Sequence, residues 1–212
     1  MKDAIEAWGV PHVEVDMILV NGKSVDFSYL IEDGDRISVY PVFVSIDISE
    51  VTHLRDQPLR EIKFVLDVHL GKLARYLRLC GFDTLYETDY TDNEIIIISS
   101  LQKRIILTRD KKLLNNKKVT HGVWIRSQYP DSQLKEVFDR LDLKNLAKPF
   151  TRCMECNTEL VDVPKEQIID RIPPGTRKFY DVFRMCPACD HIYWEGSHFE
   201  RMKEFLKVFT GQ

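Results

Sequence analysis

The sequence predicts an α/β protein: a mainly parallel sheet flanked by helices, with a small acidic β unit before it and a cysteine-bearing unit after it. Three observations carry this prediction. Between residues 61 and 148, short apolar runs alternate with amphipathic helical stretches, the order in which a parallel sheet is laid down. Four of the five cysteines fall as two CxxC pairs near the C-terminus. The charge is also unevenly divided. Residues 1–60 hold 5 Lys+Arg against 11 Asp+Glu, residues 61–150 hold 16 against 12, and residues 151–212 hold 9 against 10, so the net charge of −3 conceals a basic middle of +4. No apolar run approaches the ~18 residues that span a bilayer. The opening MKDAIEAWGV lacks an apolar core of signal-peptide length, so a soluble, cytoplasmic protein is expected.

The first unit is read over residues 1–50. DAIEAWG reads as a helix. VEVDMILVNG alternates in the manner of a half-buried strand, turns at Asn21-Gly22 and resumes; DGDRISVYPVF is a turn followed by a strand. Residues 51–60, polar and with one proline, read as a linker.

The middle unit, residues 61–148, opens on the apolar run IKFVL, followed at once by Asp67. In HLGKLARYLRLCGF, apolar Leu70, Leu73, Ala74 and Leu77 recur at three and four residues, giving an amphipathic helix that Gly81 closes. DTLYE is a short strand, and NEIIIISSLQKR is a helix that Asp92 is placed to cap. RIILT is a strand ending just before Arg109-Asp110. After a basic loop, GVWIRS is a strand and SQLKEVFDRL a helix. In such sheets the working crevice lies beyond the carboxyl ends of the strands. Asp67 and Asp110 sit there, and Glu94 starts the intervening helix beside Asp92. Converging carboxylates repel unless a cation neutralises them, and hard oxygen ligands favour Mg²⁺ or Mn²⁺. Asp67, Glu94 and Asp110 are therefore the expected catalytic metal set, with Asp92 as helper or cap. Ser127 and Asp131 are weaker candidates for a further polar ligand. Lys72, Arg75 and Arg78 on the first helix, with Arg109 and Lys111 around Asp110, fit a rim that tracks a phosphate backbone. A solvated helix face is the plainer account of the first three.

The last unit, residues 149–212, holds Cys153-x-x-Cys156 and Cys186-x-x-Cys189. Two thiolates on one tight knuckle reach a single ion, and a second knuckle completes a four-sulfur zinc site of structural type. Disulfides are disfavoured in a cytosolic chain. FYDVF and HIYW read as the strands of a zinc ribbon, and GSHFERMKEFLKVF as a terminal helix with Ser197 as its cap. Cys80 reads as a buried core thiol.

Taken together, FVLDVHLGKLARYLRLCGFDTLY, DYTDNEI, RIILTRDKKLL and the closing CxxC…CPxC with YWEGSH resemble the Mut-seven C-terminal RNase family over residues 62–202. The resemblance implies a PIN-like nuclease domain with an appended zinc ribbon, metal-dependent hydrolysis of RNA, and an acidic pattern falling on Asp67, Glu94 and Asp110. The first unit resembles a ubiquitin-like β-grasp domain of the ThiS/MoaD kind. That fold begins with a hairpin before its helix, so this copy is expected to be partial; a protein partner is one use for it. Two functions follow. One is a divalent-metal-dependent ribonuclease with structural Zn²⁺ and catalytic Mg²⁺ or Mn²⁺. The other is a non-catalytic RNA-binding or adaptor protein that uses the ribbon and β-grasp modules.

Overall fold

A computed structural model describes residues 1–43, 48, 50–54 and 61–210. The linker expected at 51–60 thus lies mostly outside the described residues. The chain divides into two compact units, Met1–Leu73 with Leu85–Asp142, and Ala74–Thr84 with Leu143–Gln212.

The first unit contains the acidic N-terminal module. Helix α1 (Lys2–Ala7) precedes strands β1 (Val15–Val20), β2 (Lys23–Val25) and β3 (Ile37–Pro41), which form an antiparallel sheet in the order β2-β1-β3. Asn21 (φ 51°) and Gly22 (φ 84°) make the β1–β2 turn, where left-handed backbone at both central residues matches the twist of the strands. Ile5, Val15, Ile18 and Val20 are its core.

A four-stranded sheet follows: β4 (Lys63–Leu66), β5 (Asp83–Leu85), β6 (Ile105–Thr108) and β7 (Gly122–Trp124), in the order β5-β4-β6-β7. The pairs β4–β6 and β6–β7 are parallel. All four residues of β6 are buried, as is β4 from Phe64 to Leu66. A sheet covered on both faces needs such unbroken apolar strands. Helices α2 (Gly71–Leu79), α3 (Asp92–Gln102), α4 (Lys111–Leu114) and α5 (Pro130–Leu141) alternate with them. A single turn of 3₁₀ helix, Val68–Leu70, leads into α2. Three details depart from the expectation. Thr91, not Asp92, caps α3, because the T-x-x-E spacing builds a reciprocal capping box with Glu94. The basic loop contains α4, which Asp110 caps by accepting from the Lys112 N–H at 2.8 Å. Helix α5 starts at Pro130, ahead of the expected SQLKEVFDRL, and the fixed φ of proline suits a first helical turn.

The two modules of this unit keep separate cores, and one residue of the first enters the core of the second. Val13, in the 3₁₀ turn His12–Glu14, is buried among Val65, Ile95, Ile106, Leu113, Leu114 and Val119. A Cβ at Gly122 would meet Leu114 Cδ2 at 2.5 Å and the Ile106 carbonyl oxygen at 3.3 Å, so the absence of a side chain there makes room for Leu114, with Val13 Cγ2 in ordinary contact distance at 3.4 Å. Next to Val13, the buried Glu14 carboxylate accepts from the Trp124 N–H (2.6 Å) and Arg140 Nη1 (2.8 Å), with Arg126 Nη2 at 3.7 Å.

The second unit is a cysteine-bearing ribbon. Strands β8 (Val161–Asp162), β9 (Phe183–Met185) and β10 (Ile192–Trp194) form an antiparallel sheet in the order β10-β9-β8. The strand before Cys186 begins only at Phe183. The preceding Phe179 ends α7 (Pro174–Phe179), which Pro174 opens and Pro173 precedes; α6 (Lys165–Ile168) lies upstream. Helix α8 runs Ser197–Thr210, so Ser197 is its first helical residue rather than its cap, and the Gly196 carbonyl accepts from the Glu200 N–H. Val163, Ile168, Ile172 and Phe183 are the ribbon's small core. Gly81 (φ 90°) ends the segment after α2, and the expected closure has a steric reason besides the φ: a Cβ there would meet the Lys148 carbonyl oxygen at 2.1 Å.

Candidate active site

At the carboxyl end of β4, Asp67 is only 8% exposed. Its N–H donates to the Leu107 carbonyl (3.1 Å), extending the β4–β6 ladder by one residue. Its Oδ2 accepts from the hydroxyl of Thr108 at 2.8 Å. The same hydroxyl accepts from the Asp110 N–H at 2.9 Å. Thr108, fully buried at the end of β6, thus ties together the two aspartates at neighbouring strand ends. Sequence reading overlooked it. The available signal was a lone hydroxyl in an otherwise aliphatic run, two residues before an aspartate.

Among the described residues Asp67 has no ion-pair partner, so a buried carboxylate stands compensated by the single Thr108 hydrogen bond. That is costly for a charge unless a cation approaches. Asp110 is exposed, and its Oδ1 serves the α4 cap. Glu94 is exposed; Thr91 N–H and Thr91 Oγ1 both donate to its Oε2 at 2.8 Å. These bonds, the backbone one first, hold its carboxyl below the ordinary glutamate value. Asp92 lies exposed in the first turn of α3. The carboxylates do not gather as tightly as the cysteines: among the described residues, the four cysteines alone form a group of three or more His, Cys, Asp or Glu ligands within 4.8 Å of one another. Ser127 Oγ is engaged with the backbone of Tyr129 ahead of α5, and Asp131 sits in that helix's first turn.

The basic residues divide sharply. Lys72 and Arg109 are exposed. Lys111 lies beside Asp110, its Nζ 3.8 Å from the Trp124 ring centroid and 3.4 Å from the Gly9 carbonyl. Arg75 is exposed and pairs with Glu155 at 2.7 Å. Arg78 is a correction. Expected on the phosphate-facing rim, it is 5% exposed and donates to the carbonyls of Thr84 (3.0 Å), Met154 (3.1 Å) and Glu155 (2.6 Å). A three-residue repeat drifts about 60° around a helix at each step, so Arg78 lies about 120° from Lys72 and has left its face.

In the ribbon, Cys153 Sγ lies 3.5 Å from Cys189 Sγ, and Cys156 Sγ 3.3 Å from Cys186 Sγ. Four sulfurs from two knuckles, with no other ligand type, fit a structural zinc ion. The Tyr193 hydroxyl, 3.2 Å from Cys153 Sγ, also accepts from the Met154 N–H at 3.1 Å and so steadies the first knuckle. At Cys156 burial pushes the thiol up, but contacts with Thr158 and the facing cysteines outweigh it and leave the group at about 6, suited to a thiolate ligand. Cys80 stands apart: burial pushes its thiol well above the ordinary range, as befits a core residue.

A family model described as the Mut7-C RNAse domain matches residues 62–206, more than half of the chain. The chain belongs to the Mut7-C RNAse domain family. A second model, described as Mut7-C ubiquitin, matches residues 1–47 and identifies the N-terminal module as ubiquitin-like. No curated protein matches the chain, and no solved structure does. Among the described residues of this Mut7-C chain, no helix is long and apolar enough to cross a membrane.

Proposed function

We propose that the protein is a divalent-metal-dependent ribonuclease that hydrolyses RNA phosphodiester bonds in the cytoplasm, its ubiquitin-like module available to a protein partner. One observation carries the reading beyond family membership: a buried aspartate, without a counter-ion among the described residues, at the carboxyl end of a parallel strand. Asp67 and Asp110, with Glu94 from the start of α3, are the residues that would hold Mg²⁺ or Mn²⁺. Such an ion would polarise the phosphate and make water nucleophilic at neutral pH. The chain's own residues prepare for this. Thr108 holds Asp67 Oδ2 and the Asp110 backbone in fixed register. Both Thr91 bonds fall on Glu94 Oε2, so the capping box orients that carboxylate by one oxygen. Asp92 sits beside it as a helper. Lys72, Arg75, Arg109 and Lys111 would steady the RNA backbone through salt-sensitive contacts.

The looser spacing of the carboxylates favours a second reading, RNA binding without cleavage. One assay separates the two. With labelled single-stranded RNA and Mn²⁺, the parent should cleave, and Asp110→Asn should be slower by about 100-fold, the scale of several kcal/mol of metal-supplied stabilisation. Equal rates for parent and variant would refute the site. A parent that binds RNA but never cleaves it would establish the second reading.

A further inference from the structure

The ribbon unit carries a partly open cavity of about 260 Å³ lined by none of the edge carboxylates and none of the four cysteines, although Met154 and Tyr193 beside the first knuckle border it. Phe150, Trp194, Phe199, Met202, Arg152 and Arg184 are among the residues lining it. Phe150 has φ 61°, a left-handed conformation that a bulky side chain adopts at a cost. Such strain persists only where surrounding contacts over-determine it, and it concentrates at binding sites. Here the contacts are visible. The Phe150 N–H donates to the Leu79 carbonyl at 2.9 Å, and Arg184 Nη1 donates to the Phe150 carbonyl at 2.9 Å. The Phe150 ring is thereby set 4.1 Å, centroid to centroid, from the ring of Phe199.

We propose that this cavity is a subsite for one unstacked base of single-stranded RNA. The volume lies just under the range of pockets that take whole drug-sized ligands, and suits one planar ring system. Every base has a face that stacks on an aromatic side chain, which is how sequence-tolerant single-strand sites are built. The two arginines distinguish a base from an apolar peptide side chain. Arg152 Nη2 and Arg184 Nε are paired with Glu159 and Asp162, carboxylates that are 76% and 83% exposed. The Arg184–Asp162 pair is open on both sides, 42% and 83% exposed, and such pairs are weak, so a phosphate flanking a bound base can replace Asp162; Arg152, 18% exposed and held by the Asn157 carbonyl, is fixed beside the cavity. The proposal rests on the nuclease reading for its choice of RNA, and its test is independent of cleavage.

The test uses the full-length, zinc-loaded protein without Mg²⁺ or Mn²⁺ at fixed salt. Fluorescence anisotropy compares an eight-nucleotide single-stranded RNA with an abasic ribose-phosphate chain of the same length. The parent should prefer the base-bearing strand by about tenfold. Trp194→Ala should abolish that preference and leave abasic binding unchanged. So should Met202→Trp, which fills the cavity without dismantling its frame, and zinc content and near-ultraviolet circular dichroism report whether each variant is folded. No preference in the parent, or a preference that survives both folded variants, overturns the proposal. So does a cavity that takes a tryptophan-containing peptide and ignores nucleoside monophosphates. Cleavage is scored separately with Mn²⁺. A cleaving parent without base preference defeats the subsite alone, and a non-cleaving parent with base preference defeats the nuclease reading alone.

Discussion

Replacing Thr108 by Val removes one oxygen and keeps the β-branched shape that a buried strand position favours. That oxygen makes two bonds, at 2.8 Å to Asp67 Oδ2 and 2.9 Å to the Asp110 N–H. A hydrogen bond to a charged group contributes about 1.5–3 kcal/mol, a neutral one about 0.5–1.5. Because Asp67 is 8% exposed, water replaces the lost donor poorly, whereas the exposed Asp110 recovers more. The expected loss is about 2–3 kcal/mol. Thr108→Ser keeps the hydroxyl and loses a methyl group, at about 1 kcal/mol. Urea denaturation of the zinc-loaded protein at pH 7 measures both. With a slope of roughly 2 kcal/mol per molar, the Val midpoint should fall by about 1 M at unchanged slope. The same variant should lose RNA cleavage while Thr108→Ser retains it. A Val midpoint within about 0.3 M of the parent, or equal losses in Val and Ser, would refute the bridging role.

Burial raises the Glu14 carboxyl above its ordinary value, against the lowering pull of the Trp124 N–H and Arg126. The folded chain therefore holds this proton more tightly than the unfolded chain. The resulting cost is present at neutral pH and fades as pH falls through the raised value toward about 4.5. Relative to Glu14→Gln, the parent should gain stability as pH falls from 7 toward about 4.5 in denaturant titrations; a relative loss would reverse the sign of the assignment. Cys186→Ser should fail to retain zinc by elemental analysis and should loosen the ribbon in near-ultraviolet circular dichroism, because its small apolar core depends on the metal; full zinc retention would count against a four-sulfur site. Gly81→Ala meets a carbonyl at 2.1 Å in left-handed backbone, whereas Gly34→Ala (φ 87°) meets nothing within 4 Å. The first should cost clearly more than the ~1 kcal/mol expected of the second, and equal costs in thermal melts would show that the Lys148 contact yields.

The elements most legible in the sequence were those whose physics is local. The apolar runs of β4 and β6, the Asn21-Gly22 turn, the Gly81 closure and the paired knuckles each announce themselves within a few residues. Thr91 was equally local, since its capping box is written in TDNE, and the competing cap at Asp92 obscured it. Arg78 was misplaced because its neighbours' three-residue spacing imitates a face while drifting off it, and its carbonyl partners Met154 and Glu155 are more than 70 residues away. Thr108 and Glu14 act through contacts 41 and 110 residues distant in sequence, which no local pattern reports. The strained Phe150 was invisible for a related reason: a left-handed φ at phenylalanine is imposed by tertiary contacts rather than by propensity.

Val13 ties the two family matches together physically. Residues 1–47 and 62–206 match separate models, yet a side chain from the first completes the interior of the second. Modules joined only by a tether can be exchanged, lost or inherited independently. Here a recombination that swapped the leading module would have to supply a valine-sized plug at the same place and an acid beside it for Arg140 and the Trp124 amide. The packing unit therefore crosses the boundary between the matched segments, and a change of size at residue 13 is felt among Ile106, Leu113 and Leu114.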